Sequence, residues 1–207
     1  MSDFSDFQAQ IKEWANRQDW SDGLVTSFIR MAEQKLNAEL RIDRMIKWVD
    51  GVINERGVPL PDDWLSTDLV RMESSLGADG FLPIRYLARD HFFNLTDIRA
   101  ENYYTMEGRT IFFGGLPPPG GRGYQVVYFA EVPVFSDTQD SWVYDKHPSL
   151  YLQAALMHAD LHAIGEEDKA AMLKQLVEDQ IVKLNAGFQA SRASGSRVTR
   201  SRVRTFG

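Results

Sequence analysis

Two histidines four residues apart are the side chains of this sequence that come closest to a metal site. His158 and His162 stand in the stretch HADLH, and this spacing places both on one face of a helix, where they could bind one zinc ion. Ala159 follows the first histidine, where a zinc-peptidase helix carries its catalytic glutamate. The other two histidines, His91 and His147, mark no third ligand. We therefore expect two histidines flanking a buried helix face, with a metal-dependent hydrolase as the alternative from the enzyme class.

The remaining groups that could do chemistry also lack the pattern of a catalytic site. Glu166, Glu167 and Asp168 are consecutive, but solvent at a helix start keeps carboxylates ionised, so we interpret them as capping charges. The chain has no cysteine and hence no thiol nucleophile, and it contains no Gly-x-Ser-x-Gly motif. The sequence therefore predicts neither an enzyme nor a cofactor or metal ion.

A glycine- and proline-rich stretch, GGLPPPGGRG, has the composition of a connecting loop. It lacks the Gly-Lys-Ser/Thr ending of a phosphate-binding loop, and its prolines remove backbone donors. Exposed tips of this kind often contact a partner. We therefore predict a loop that contacts a partner, formed by Leu116, Pro117, Pro118, Pro119 and Arg122.

Charge is distributed unevenly along the chain. The net charge is −6, yet residues 188–207 contain five arginines and no acid, which leaves residues 1–187 at −11. A surface this acidic does not favour phosphate, so a nucleic-acid binder acting through the basic end is a further alternative. The lack of cysteine, of a leader-like apolar segment and of an apolar run of about 18 residues predicts a soluble cytoplasmic product.

The basic end also carries apolar and β-forming residues, which a purely solubilising end would not need. Too few apolar groups follow Gly187 for this segment to order itself, so we expect a flexible docking tail over 188–207. It could add as a strand to the sheet edge of a sister subunit or of an acidic partner, with its arginines pairing to acids. The predicted residues that bind an acidic partner or a neighbouring subunit are Phe188, Arg192, Arg197, Val198, Arg200, Arg202, Val203, Arg204 and Phe206.

Hydrophobic periodicity divides the rest of the chain into helices on both sides of a β-rich stretch. Apolar residues recur every three or four positions over about 3–42 and 148–187, and the period shortens over about 46–135. We predict an α+β fold: an antiparallel bundle of about four helices with a small β-rich insertion, together one domain over 1–187. The predicted buried faces are Phe4, Phe7, Ile11 and Trp14; Phe28, Met31, Leu36 and Leu40; Leu150, Ala154, Met157, Leu161 and Ile164; and Met172, Leu176, Val177 and Ile181.

Local signals set the boundaries of several elements. Ser21 or Asp22 caps the second helix, Pro148 stands near the start of the third, and Gly165 ends it. YYTMEGRTIFF predicts a hairpin that turns at Glu107-Gly108, and YQVVYFAEV predicts the clearest strand.

The order of these segments resembles the bacteriophage head-to-tail adaptor proteins, also called connector proteins, that sit beneath the portal ring. The likeness covers nearly the whole chain, although DSWVYDKH departs from the Thr-Asn step of related chains. It is carried by FIRMAEQKLNAELR (with Ala32, Glu33, Leu36, Leu40 and Arg41), LPDDW, GRTIFFGGLPPP, VYFAEVPVFSD, HPSLYLQAALMHA and the Ser/Gly/Arg-rich end.

The resemblance implies a structural virion protein of the neck, assembled in the host cytoplasm. About a dozen copies would form a ring, as closed assemblies of identical subunits do. The ring would bind the portal protein on one side and tail or nozzle proteins on the other, with viral DNA passing through its channel without sequence-specific contacts and without a membrane. A head-closure or tail-terminator ring elsewhere in the neck is the alternative of the same class.

Overall fold

The computed structural model describes residues 3–74, 80–94, 102–115 and 121–198. The chain divides into two compact units, one formed by Met1–Arg44 with Val132–Gly207 and the other by Met45–Glu131. The first unit contains helices and the second contains all strands of the described residues.

The helical unit contains five α-helices within its described residues. Their bounds are α1 Asp3–Trp14, α2 Asp22–Glu39, α4 Trp142–Lys146, α5 Pro148–Ala159 and α6 Glu167–Val198. Ser21 caps α2 by accepting a hydrogen bond from the backbone N–H of Leu24, and Pro148 stands in the first turn of α5. These two sequence predictions are confirmed, whereas α4 lies between the predicted β-rich stretch and the predicted start of the third helix.

Helix α5 forms the centre of this unit, because its residues are buried on every side. Its Tyr151 ring contacts Phe7 of α1, with ring centroids 5.0 Å apart. The Tyr151 hydroxyl donates a 2.6 Å hydrogen bond to the Glu33 carboxylate on α2. The same carboxylate accepts the backbone N–H of Phe135 at 2.8 Å and pairs with Arg30. A buried acid therefore ties α2, α5 and the segment before α4 together.

A π-helical turn, Asp160–Ile164, follows α5. The backbone N–H of Gly165 reaches back five residues to the carbonyl of Asp160 at 2.8 Å, and Gly165 adopts a left-handed conformation with φ of 77°. The predicted helix end at Gly165 is confirmed. The wider turn rotates Leu161 away from the face of α5, and its side chain is 49% exposed, which corrects its predicted burial.

Within its described residues, the second unit contains two four-stranded sheets and one short helix, α3 Arg89–Phe93. One sheet has the order β1-β8-β3-β4 and the other β2-β7-β6-β5. The strands are β1 Ile46–Ile53, β2 Gly57–Pro59, β3 Trp64–Glu73, β4 Phe81–Pro83, β5 Arg85–Tyr86, β6 Tyr103–Glu107, β7 Thr110–Phe113 and β8 Arg122–Ala130. The α+β prediction is confirmed.

Strand β8 lies in the middle of its sheet, antiparallel to both β1 and β3. Its alternate residues Tyr124, Val126 and Tyr128 point into a core that also contains Val70 and Ile111. Strands β6 and β7 form the predicted hairpin, which turns at Gly108 with φ of 59°. A period of two thus placed every second residue of β8 in the core, as the sequence indicated.

Besides Leu161, three residues predicted to be buried are exposed in the helical unit. Trp14 is 63% exposed, Met172 58% and Leu176 41%. On α1 the buried face continues from Ile11 to Ala15, and on α6 it runs along residues four apart that include Leu173, Val177 and Ile181. Helix α6 carries a second apolar line, with Met172 and Leu176, beside the buried one, and α1 ends with the exposed Trp14 beside its buried face. Spacing alone does not say which apolar residues face the core.

Candidate interaction surfaces

The C-terminal helix α6 extends beyond the predicted end of the helical pattern. We predicted that order stops after Gly187, but α6 continues to Val198. Gly187 has open space around its Cα, and beyond it the hydroxyls of Ser191 and Ser194 donate to the carbonyls of Phe188 and Ser191, respectively, both at 2.8 Å. The structure therefore corrects the predicted end of the helix for residues 188–198. Hydrogen bonds within the helix continue there, beyond the last residue of its apolar stripe, the line of buried apolar residues along α6.

Phe188 is the last residue of that stripe. Its side chain is only 5% exposed, so it packs within the chain instead of presenting a surface to a partner. The guanidinium of Arg192 lies 5.4 Å from the centre of the Phe188 ring, a distance at which a cation is attracted to the ring face. Arg192 itself is exposed.

Of the other predicted tail residues, two lie within α6 and the rest follow its end. Arg197 and Val198 belong to its last turn. Arg200, Arg202, Val203, Arg204 and Phe206 lie outside the described residues, so their role as partner-binding residues stays a prediction.

The predicted contact loop is described only at its end. Leu116, Pro117, Pro118 and Pro119 lie outside the described residues. Arg122 is not a loop residue: it begins β8, lies opposite Ile53 of β1, and donates from Nε to the carbonyl of Glu73 at 2.7 Å. Two strand neighbours therefore engage Arg122, which corrects its assignment to the loop.

The two histidines stack without forming a ligand cluster with other residues. The rings of His158 and His162 are nearly parallel, with centroids 6.1 Å apart. Both nitrogens of His158 are buried and have no hydrogen-bond partner within the described part of the chain. Burial, followed by His162 and Lys35, lowers the pKa of His158. Across residues 3–74, 80–94, 102–115 and 121–198, no three His, Cys, Asp or Glu residues come together in a way that could hold a metal ion.

The acids near the start of α6 are engaged by one lysine. Lys169 Nζ lies 3.2 Å from the buried Asp160 carboxylate and 3.7 Å from that of Glu166. Burial raises the pKa of Asp160, and the lysine opposes that shift. Glu166, Glu167 and Asp168 are exposed, in agreement with their interpretation as charges at a helix start.

A groove that the sequence analysis did not identify lies along α1, α5 and α6. It has a volume of about 520 Å³. Its exposed apolar walls are Trp14, Met172 and Leu176, and the buried side chains of Leu152 and Leu156 lie between them. All three wall residues were predicted to be buried in the core. The sequence therefore identified them as apolar helix positions, but it did not show that they are exposed and line a groove.

A second groove, of about 470 Å³, lies beside the buried end of the α6 stripe. Arg44, Lys146 and His147 line it together with Asp43 and Phe188. Burial and the nearby Arg44 lower the pKa of His147. The cationic side chains of Arg44 and Lys146 thus line the same groove, in a chain that is acidic over residues 1–187.

The fold is α+β, and its candidate interaction surfaces are the two grooves of the helical unit and the exposed part of α6. No described helix combines the length and apolar character needed to cross a bilayer. The model of the SU10 adaptor protein family matches residues 2–204, so the chain belongs to this family of phage head-to-tail adaptors. No curated protein shows significant similarity to the chain.

Proposed function

We propose that this chain forms a ring of about a dozen copies in the virion neck, as closed point-group symmetry favours for identical subunits. The ring binds the portal protein on one side and tail or nozzle proteins on the other, and it assembles in the host cytoplasm. Within each copy the longer helices form an antiparallel bundle. The observation that carries the proposal is the family match over residues 2–204, which spans both compact units.

The charge of the chain supports a channel through which DNA passes. Residues 1–187 carry a net charge of −11, and a negative wall repels phosphate instead of holding it. Viral DNA therefore slides through the ring without sequence-specific contacts.

The uneven distribution of charge along the chain also supports a partner-binding role for the C-terminal arginines. Arg192 and Arg197 lie on the part of α6 that follows the buried Phe188, and Arg200, Arg202 and Arg204 come after it. Arginine pairs with carboxylates through two parallel hydrogen bonds, so acidic residues of the portal or of a neighbouring copy are suitable partners. The stretch Leu116–Pro119 is a contact for tail components.

The native mass of the full chain, alone and mixed with the portal protein of the same genome, tests the proposal. We expect a defined multimer of this chain on the portal ring. A chain whose mass is unchanged by the portal, but which assembles on tail-tube proteins, would instead be a tail-terminator ring. No multimer with either partner would overturn the proposed ring altogether.

A further inference from the structure

We propose that the apolar groove along α1, α5 and α6 binds the segment around Val203 and Phe206 of a neighbouring copy of this chain. The inference rests on the proposed function, because a ring supplies that neighbouring copy. It adds to the proposed function a specific site and a specific occupant.

The first argument is the apolar surface of the groove. Trp14, Met172 and Leu176 are 63%, 58% and 41% exposed, and all three line one groove. A folded chain that leaves such residues together in solvent marks a surface for another protein. The volume of about 520 Å³ lies in the range of pockets that enclose aromatic groups.

The second argument is charge. Helix α1 and the first half of α6, through Asp179, carry seven carboxylates and three lysines. Each of these lysines already lies in an ion pair: Lys12 with Asp22 at 2.7 Å, Lys169 with Asp160 at 3.2 Å, and Lys174 with Glu178 at 3.9 Å.

The segment after α6 has the complementary chemistry. Residues 199–207 read TRSRVRTFG, with three arginines, no acid, and the apolar side chains of Val203 and Phe206. The apolar side chains suit the groove, while the arginines suit the carboxylates that helices α1 and α6 carry. Complementary charge of this kind steers association and fixes register.

The third argument is reach, which selects a neighbouring copy over the same chain. Leu176 lies 22 residues before the end of α6 at Val198, a distance of about 33 Å along a helix. Phe206 follows Val198 by eight residues, which span at most about 29 Å when fully extended. Its own groove is therefore out of reach while α6 is intact, whereas an adjacent copy has no such limit.

The absence of cysteine from the sequence allows a direct test in the full chain. One preparation carries Leu176→Cys and a second, tagged to differ in mass, carries Phe206→Cys; they are mixed and mildly oxidised, with and without the portal protein. A matched control replaces Leu176→Cys by Val182→Cys, since Val182 is 65% exposed on the same helix and does not line the groove. We expect the mixed disulfide at position 176 to exceed that at 182 by on the order of tenfold, because docking raises the effective thiol concentration.

Each other outcome overturns a definite part of the proposal. Equal yields at 176 and 182, or a double variant whose disulfide closes within one chain, would refute docking in the neighbour. Protection of Leu176→Cys from alkylation only after the portal is added, with no disulfide to Phe206→Cys, would assign the groove to the portal. Assembly on the portal without the disulfide would overturn this inference alone, whereas the disulfide without assembly on the portal would overturn the portal-binding role alone.

Discussion

Glu33 is the buried charge on which the helical unit depends most directly. It is 4% exposed and accepts hydrogen bonds from Tyr151, from the backbone of Phe135 and from Arg30. Burial, followed by the nearby Glu33 carboxylate, raises the pKa of Tyr151, so the tyrosine stays a donor. A buried acid is stable only with partners of this kind, because an unpaired buried charge costs several kcal/mol.

We expect Glu33→Ala to lower the free energy of unfolding by about 2–4 kcal/mol, because it leaves the Tyr151 hydroxyl and the Phe135 N–H without their acceptor. Urea unfolding followed by far-UV circular dichroism measures this. The control is Glu39→Ala, which removes an exposed pair with Lys35 and should cost less than about 1 kcal/mol. Equal effects of the two substitutions would contradict the role assigned to Glu33.

His158 predicts a pH dependence of stability. Burial, followed by His162 and Lys35, lowers its pKa in the folded chain, so the unfolded chain binds the proton more readily. Its contribution to stability is therefore complete above the ordinary histidine pKa and is lost as the pH falls below it. We expect the unfolding midpoint in urea to decline between about pH 7 and pH 5, and His158→Gln to flatten that decline.

The exposed His91 provides the control for this measurement. His91→Gln should leave the pH dependence as it is in the parent chain. A decline that His158→Gln does not reduce would show that other groups cause it.

At the scale of elements, helix ends and turns followed from the sequence better than helix faces did. Gly165 and the Glu107-Gly108 turn were predictable because a left-handed backbone requires glycine, whatever surrounds it. The groove residues Trp14, Met172 and Leu176 were not, because tertiary contacts decide which apolar residues of a helix are buried. The continuation of α6 past Gly187 was missed because hydrogen bonds, and no apolar pattern, maintain it.

Two glycines of the same region should respond to alanine in opposite directions. Gly165 has φ of 77°, so Gly165→Ala should destabilise the chain by about 1 kcal/mol. Gly187 lies inside α6 with open space at its Cα, so Gly187→Ala should stabilise it by about 0.5–1 kcal/mol. Thermal unfolding of both variants checks the prediction, and shifts of the same sign would contradict it.

At the scale of the whole molecule, the family was recognisable from the order of its segments, while the surfaces required the structure. A truncation that tests the C-terminal segment should therefore end after Val198. A chain that ends at Gly187 also loses the buried Phe188.

We expect the chain ending at Val198 to unfold at the temperature of the full chain. The chain ending at Gly187 should be less stable by about 1.5–3 kcal/mol, the contribution of one buried aromatic side chain. Calorimetry of the full chain and of the two truncated chains measures the unfolding temperature of each. Equal midpoints for the two truncations would show that Phe188 contributes nothing to the core.

The burial of Phe188 also has a mechanical consequence for the end of α6. Among the side chains of α6 whose burial is described, Phe188 is the last buried one and residues 189–194 are exposed. The part of the helix from Gln189 to Val198 is about 15 Å long. A tilt of about 10° at its base moves its tip by less than about 3 Å over that length. A helical end of this kind fixes where the next residues begin, so that Arg200, Arg202 and Arg204 follow from nearly the same point in every copy of the chain.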